Sequence, residues 1–134
     1  MATRRPSRPA ALAALLALVG AETPLMAEAM YEPIDTLALQ VANRVGVLRF
    51  CAVHGFATPA DIARARAVLA NDPQKPPAEK LAEAEANGSE GRILAGERYI
   101  AMADLVAQSG YDVKQTCAGV AASAEVAAQS LAPR

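Results

Sequence analysis

The stretch that decides the fold covers residues 34–55 and reads IDTLALQVANRVGVLRFCAVHG. Its apolar residues recur at steps of three and four, which is the spacing of one face of an α-helix. The residues on that face are Leu37, Val41, Val45, Leu48 and Ala52. Pro33 suits the first turn of such a helix, because the N–H that proline lacks would be unpaired there. Gly55 suits its end, because glycine accepts the left-handed conformation found at many helix ends.

A second long helix is expected near the other end of the chain. Asp112 and Gln115 form a capping pair, in which each side chain can accept a hydrogen bond from the other residue's backbone N–H. Apolar residues then recur on one face, namely Val113, Cys117, Val120, Ala124 and Leu131. We therefore expect a helix that begins after Asp112 and buries Cys117.

Residues 58–70 carry the clearest helix start signal. Thr58 can cap a helix, Pro59 fits its first position, and Asp61 can return a hydrogen bond. The residues expected to face inward are Ile62, Ala65, Val68 and Leu69. Residues 71–77 contain three prolines and are predicted to form a semi-rigid connector.

Two further helices are expected between the connector and Gly110. Residues 78–86 favour a helix by propensity, but Leu81 is their one large apolar residue, so we expect a surface helix that ends at Asn87-Gly88. Ser89 can cap a fourth helix that ends at Gly110. Its apolar residues would be Ile93, Leu94, Ile100, Leu105 and Val106. Since we find no alternation typical of a strand, the predicted fold class is all-α, a small bundle of four to five helices.

The composition predicts a thin core. The 134 residues include 33 alanines and no tryptophan, with three tyrosines and two phenylalanines as the only aromatics. Alanine has the highest helix propensity but little apolar area to bury, so helices form easily while each contact contributes modestly. A covalent link would add stability to such a bundle.

Residues 1–29 have the pattern of an export leader. Arg4, Arg5 and Arg8 give a basic start, and residues 10–19 are all apolar. A membrane span needs about 20 apolar residues, so this run is too short to be one. A buried amphipathic helix is the alternative, but the run has no polar stripe.

The expected cleavage site follows Ala29. Ala27 and Ala29 place small residues at both positions that a leader peptidase inspects. The mature protein would begin at Met30, form a single helical domain over residues 30–134, and lie in the periplasm or outside the cell. It would have no stable membrane span.

The charge of the predicted mature part argues against a nucleic-acid partner. Without the leader the chain has 10 basic and 12 acidic residues, a formal charge of −2, and no basic run. Nucleic-acid phosphates require a clustered basic surface.

Cys51 and Cys117 are the only cysteines in the chain. In an oxidising compartment, two thiols on apolar helix faces are predicted to form a disulfide. Free or intermolecular thiols are the alternative. Thiol oxidoreductases and c-type haem proteins need two cysteines separated by two residues, and this chain has no such motif.

His54, the one histidine, is expected to bind the last carbonyls of the first helix. Together with Cys51 it could touch a metal, but zinc takes four ligands and no others stand at a recognisable spacing. The acidic residues occur in polar stretches, which favours a solvated face over a catalytic pair. We expect no catalytic residue, no cofactor and no metal.

The layout of a leader, a short helical chain and two distant cysteines resembles that of the HdeA-type periplasmic acid chaperones. This chain is richer in alanine and poorer in lysine. The resemblance implies that protonation of carboxylates loosens a disulfide-linked fold and exposes apolar faces.

The leading functional hypothesis is a small exported, non-catalytic protein that contacts an envelope protein partner. The candidate contact residues are Tyr99, Met102 and Tyr111, because aromatic and methionine side chains are common in contact surfaces. Core packing is the alternative role for each of them. An acid chaperone and an accessory subunit of an exported enzyme are the alternative functions.

Overall fold

The computed structural model describes residues 23–131, and it describes side chains from Leu37 onward. The chain divides after Tyr31, and the fold below is that of the part that begins at Glu32. The described part contains α1 (Thr23–Val53), α2 (Pro59–Ala70), α3 (Ala78–Ser89), β1 (Arg92–Ala95), β2 (Arg98–Ala101), α4 (Met102–Ser109) and α5 (Val113–Gln129). The fold is therefore a small helical bundle, as predicted, with one β-hairpin that was not predicted.

The start of α1 differs from the prediction. The helix begins at Thr23 rather than at Pro33. Pro24 stands in its first turn, where a missing N–H costs no hydrogen bond, and the residues that follow are good helix formers. The remainder of the predicted leader, residues 1–22, lies outside the described residues.

The end of α1 confirms the prediction for Gly55. Gly55 has a φ of 78°. Its N–H donates to the Ala52 carbonyl at 3.0 Å, and the Phe56 N–H donates to the Cys51 carbonyl at 2.8 Å. This pair of bonds is the Schellman arrangement, which satisfies carbonyls that the helix leaves unpaired.

α1 is the central helix of the bundle. All of residues 42–48 except Arg44 are buried, so neighbours cover the helix on nearly every side. The predicted apolar face is correct for Val45 and Leu48, whereas Leu37 is 59% exposed. The apolar pattern on one face of α1 therefore predicts fewer buried residues than the helix has.

Two apolar clusters pack on α1. The first contains Val45 and Leu48 of α1 with Ala65 of α2 and Ala124 of α5. The second contains Val47 and Cys51 of α1 with Met102 of α4 and Cys117 of α5. Alanine and cysteine occupy half of these positions, so the core is built from small side chains packed closely.

The capping predictions for α2 and α5 are confirmed. Thr58 and Asp61 form a full capping box at the start of α2, and Asp112 and Gln115 form another at the start of α5. Residues 71–77 connect α2 to α3 without regular structure. Leu131 departs from its prediction, because α5 ends at Gln129 and leaves this side chain 45% exposed.

The prediction that α3 is a surface helix that buries little is confirmed, since Ala84 and Gly88 are its only buried residues. α3 crosses α1 where Gly46 and Gly88 meet, and both glycines are buried. A Cβ on Gly88 would lie 2.7 Å from the Val47 nitrogen, and one on Gly46 would lie 2.8 Å from the Ser89 nitrogen. The two backbones therefore touch, and α3 needs no large apolar side chain to pack.

The predicted fourth helix is replaced by the hairpin and a shorter helix. β1 and β2 pair antiparallel, with Ile93 opposite Ile100. They are joined by Gly96-Glu97, and Gly96 has a φ of 64°, as the first position of a tight hairpin loop requires. At the base of the hairpin, the Met102 N–H donates to the Gly91 carbonyl at 2.8 Å.

One buried side chain, Asn43, holds the hairpin and α3 on α1. Its Nδ2 donates to the carbonyls of Ala84 at 3.0 Å and Arg92 at 2.9 Å. Its Oδ1 accepts from the Leu94 N–H at 2.8 Å. Asn43 therefore pairs with the free edge of β1 much as a neighbouring strand would.

Candidate functional site

The predicted disulfide is present. Cys51 and Cys117 are joined with an S–S distance of 2.10 Å and a Cα–Cα distance of 5.7 Å. Both residues are fully buried, in the cluster that also contains Val47 and Met102. Solvent does not reach the sulfur atoms in the folded state. The bond links the start of α5 to the end of α1.

His54 takes the predicted capping role. Its Nδ1 donates to the Phe50 carbonyl at 2.9 Å, and its ring lies on the Phe50 ring with centroids 4.3 Å apart. Since the Cys51 sulfur is part of the disulfide, the pair of Cys51 and His54 does not offer a thiolate to a metal. Among the described residues, no three or more histidine, cysteine or acidic side chains come together as a metal site.

Glu85 is the one acidic residue of α3 that joins several elements. Its Oε1 accepts from Arg49 of α1 at 2.6 Å and from Arg66 of α2 at 3.0 Å. Two arginines on one carboxylate make an ion-pair network at a helix junction. This network gives Glu85 a structural role, because it links α3 to α1 and α2.

The three predicted contact residues differ in burial and lie in different parts of the structure. Met102 is 4% exposed and belongs to the core, so it presents almost no surface to a partner. Tyr99 lies on β2 in a shallow pocket lined by Leu39, Lys80 and Glu83, among others. Burial, and then the nearby charge of Glu83, raise the pKa of the Tyr99 hydroxyl.

Tyr111 borders a groove between α4 and α5, which we call the α4–α5 groove. Its side chain is 61% exposed. The groove has a volume of about 590 Å³, and its accessible surface is largely apolar. It is lined by Leu105, Ser109, Tyr111, Gln115, Thr116, Ala118 and Gly119.

Gly110 and Gly119 shape this groove. Gly110 ends α4 with a φ of 75°, and its N–H donates to the Val106 carbonyl at 3.2 Å. The chain thus turns directly into the cap of α5, which brings the two helices side by side. A Cβ on Gly119 would meet no atom within 4 Å, so this stretch of α5 faces open space.

A second concavity lies between α1 and α5, with β1 beside it, and we call it the α1–α5 cleft. Its volume is about 450 Å³. It is lined by Gln40, Asn43, Arg44, Val47, Ile93, Leu94, Thr116, Gly119, Val120 and Ser123. Thr116 and Gly119 belong to both concavities, so the two adjoin across α5.

Neither Asn43 nor Arg44 was predicted as a functional residue. Both interrupt the apolar run of α1, and a polar residue in such a run is expected to be buried and paired. This expectation holds for Asn43, whereas Arg44 is half-buried. The role of Gly119 had no signal in the sequence, because only the packing of α1, α4 and α5 leaves it beside open space.

In the described part of the chain, no helix is both long enough and apolar enough to cross a membrane. Comparisons with protein-family models, curated proteins and solved structures yield no match to this chain.

Proposed function

We propose that this chain is a small exported, non-catalytic helical protein that acts through protein–protein contacts in the cell envelope. The leader pattern of residues 1–29 supports export. The disulfide between Cys51 and Cys117 is compatible with it, since such bonds persist in oxidising compartments. Cleavage after Ala29 would shorten α1 at its N-terminus.

The α4–α5 groove carries the contact part of the proposal. An exposed tyrosine beside Leu105 and Ala118 gives a large apolar area with a hydroxyl at its rim. Tyrosine is enriched among the residues that dominate binding energy at interfaces, because it buries a large rigid ring at a low entropic cost. A partner is expected to insert an apolar side chain between α4 and α5.

In this proposal the chain contributes no catalytic group. Its cysteines are bonded to each other, and its histidine binds the end of α1. The acid-chaperone and accessory-subunit hypotheses stay predictions.

Site-specific photo-crosslinking tests the contact. A photoreactive phenylalanine analogue replaces Tyr111 in cells that export the chain, and a matched variant carries it at Val126, an exposed position of α5 that is not among the residues lining the groove. We expect one defined adduct from position 111 and none from 126. The adduct should disappear when Leu105→Asp places a charge in the groove. Equal adducts at both positions, or none at 111, would overturn the proposed contact.

Export has its own test. The intact mass of the non-reduced protein recovered from the envelope should match a chain that begins at Met30 and lacks two hydrogens. Recovery from the cytosol with the first 29 residues attached would overturn export.

A further inference from the structure

Arg44 is the one residue within positions 42–48 of the central helix that is not buried. It is half-buried and lines the α1–α5 cleft together with Gln40. Among the described residues, its guanidinium has no ion-pair partner, in contrast to Arg49, which binds Glu85. Burial lowers the pKa of Arg44 by removing water from its charge. A guanidinium in this position gains from any anion that enters the cleft, because the anion replaces the lost hydration.

The other walls of the cleft are suited to the rest of a ligand. Ile93, Leu94 and Val120 offer apolar surface. Small-molecule sites usually occupy concavities of about 300–1,000 Å³ in which a few polar groups orient the ligand. The cleft, at about 450 Å³, falls in that range of volume, and its accessible surface is divided about evenly between polar and apolar atoms.

Two hydroxyl groups of the cleft can accept hydrogen bonds from a ligand. The Thr116 hydroxyl donates to the Asp112 carbonyl at 2.9 Å, and the Ser123 hydroxyl donates to the Gly119 carbonyl at 3.0 Å. Their protons are therefore used, while their oxygen lone pairs remain available to a donor. Asn43 adds no free donor, because both of its amide protons are bound to backbone carbonyls.

We propose that the α1–α5 cleft binds a ligand with a carboxylate, a neighbouring amide N–H and an apolar side chain. Arg44 and Gln40 receive the carboxylate, the apolar wall receives the side chain, and one hydroxyl oxygen of α5, that of Thr116 or of Ser123, accepts from the N–H. An N-acylated apolar amino acid and the C-terminus of a peptide both have this chemistry. The inference does not depend on the contact at Tyr111.

Titration of the oxidised protein, followed by amide chemical shifts, tests the proposal. The probes are N-acetyl-leucine, its uncharged amide, and acetyl-Ala-Ala-Leu with a free carboxylate. We expect at least one of the two carboxylates to bind saturably at millimolar concentration and to shift the amides of Leu94 and Gly119, and the uncharged amide to bind far more weakly. The tighter of the two carboxylates identifies the source of the ligand, a free acylated amino acid or a peptide end.

Variants assign the binding to Arg44. Arg44→Gln should weaken carboxylate binding by about tenfold or more, since hydrogen bonds to charged groups contribute about 1.5–3 kcal/mol. Arg98→Gln, which removes an exposed charge outside the cleft, should leave binding unchanged. Ser123→Leu fills this cleft without touching the α4–α5 groove and should abolish binding, with a circular-dichroism melt to show that it folds. Equal binding of the uncharged amide, unchanged binding by Arg44→Gln, or no saturable binding of either carboxylate would overturn the proposal.

Discussion

Asn43 joins three elements through one side chain. Its amide group makes three hydrogen bonds, to α3 and to two positions on the edge of β1, and it is 3% exposed. Every polar atom of the side chain is thus paired, within a stretch of α1 where Ala42, Val45 and Val47 are also buried. Buried polar groups of this kind are costly when one partner is lost, because the other stays desolvated.

Asn43→Ala is expected to destabilise the fold by about 2–4 kcal/mol, because it leaves the Leu94 N–H without its partner and removes a hydrogen bond to each of two carbonyls. Chemical denaturation measures the change. Asn87→Ala is the matched control, since the Asn87 side chain makes one exposed bond to the Glu83 carbonyl within α3. The control should stay within about 0.5 kcal/mol of the wild type. Equal effects of both variants would contradict the role given to Asn43.

The charge of Asp61 makes the free energy of unfolding depend on pH. The Thr58 backbone N–H donates to Asp61 Oδ2 at 2.8 Å, and the Thr58 hydroxyl donates to the same oxygen at 2.8 Å. These bonds, with a smaller contribution from Arg64, lower the pKa of Asp61. A lowered pKa in the folded state means that the ionised carboxylate stabilises the fold at neutral pH, and that this contribution is lost on acidification.

We expect Asp61→Asn to be less stable than the wild type at pH 7 by about 0.3–1 kcal/mol, the usual contribution of a carboxylate at a helix start. The difference should shrink as the pH falls below about 3.9, the pKa of an unfolded aspartate. Urea denaturation over a series of pH values measures it. Asn71→Ala, at the other end of α2, serves as an uncharged control. A stability difference that did not change with pH would show that the charge of Asp61 is unimportant.

At the scale of elements, the crossing of α1 and α3 depends on glycine. Gly46 and Gly88 let the two backbones touch, so α3 stays on the bundle although Leu81 is its only large apolar side chain. Glu85 then links α3 to α1 and α2 through Arg49 and Arg66. Close contact and a charged network together replace the apolar face that α3 lacks.

Alanine substitutions at Gly46 and Gly119, two glycines within helices, should change the stability of the fold in opposite directions. Gly46→Ala places a Cβ against the backbone of α3 and is expected to cost about 1–3 kcal/mol. Gly119→Ala meets open space and is expected to stabilise α5 by about 0.5–1 kcal/mol, because alanine loses less backbone entropy than glycine in a helix. Thermal denaturation of the pair, with circular dichroism at neutral pH, measures both. Stabilisation by Gly46→Ala would contradict the close crossing.

At the scale of the whole molecule, the disulfide constrains a chain with a thin core. It joins residues 66 positions apart and sits between the central helix and the last one. In the chain-entropy estimate a loop of this length contributes about 4 kcal/mol. That is a large share of the stability of a small domain.

The double variant Cys51→Ala/Cys117→Ala should therefore lose about 4 kcal/mol of unfolding free energy, with a further loss from the space left in the core. Guanidinium denaturation measures the loss. As a control, reductant added to the native wild type should act slowly without denaturant, because both sulfur atoms are fully buried. A double variant as stable as the oxidised wild type would show that the bond does not stabilise the fold.

Local signals account for the parts of this fold that could be predicted. Thr58 with Asp61, Asp112 with Gln115, and Gly55 act on backbone groups within a few residues of themselves. Each of them therefore works in the same way wherever the segment packs. The pairing of Cys51 with Cys117 followed because the chain has no other cysteine.

The hairpin is the main difference from the predicted fold, and residues outside the hairpin stabilise it. Short apolar runs such as those around Gly96-Glu97 fit a strand or a buried helix equally well by periodicity. An isolated two-stranded hairpin is only marginally stable in water. Asn43, 49 positions before Arg92, provides the missing bonds to the edge of β1.

The sequence by itself determined where helices α2 and α5 begin, where α1 ends, that the fold is mainly helical, and which cysteines pair. The tertiary structure alone decided that α1 is central, that Met102 is buried while Tyr111 is exposed, and that two concavities adjoin across α5. The physical reason is the distance along the chain over which each interaction acts. Caps and turns depend on neighbours in the chain, whereas burial and cavities depend on contacts between residues that are far apart in sequence.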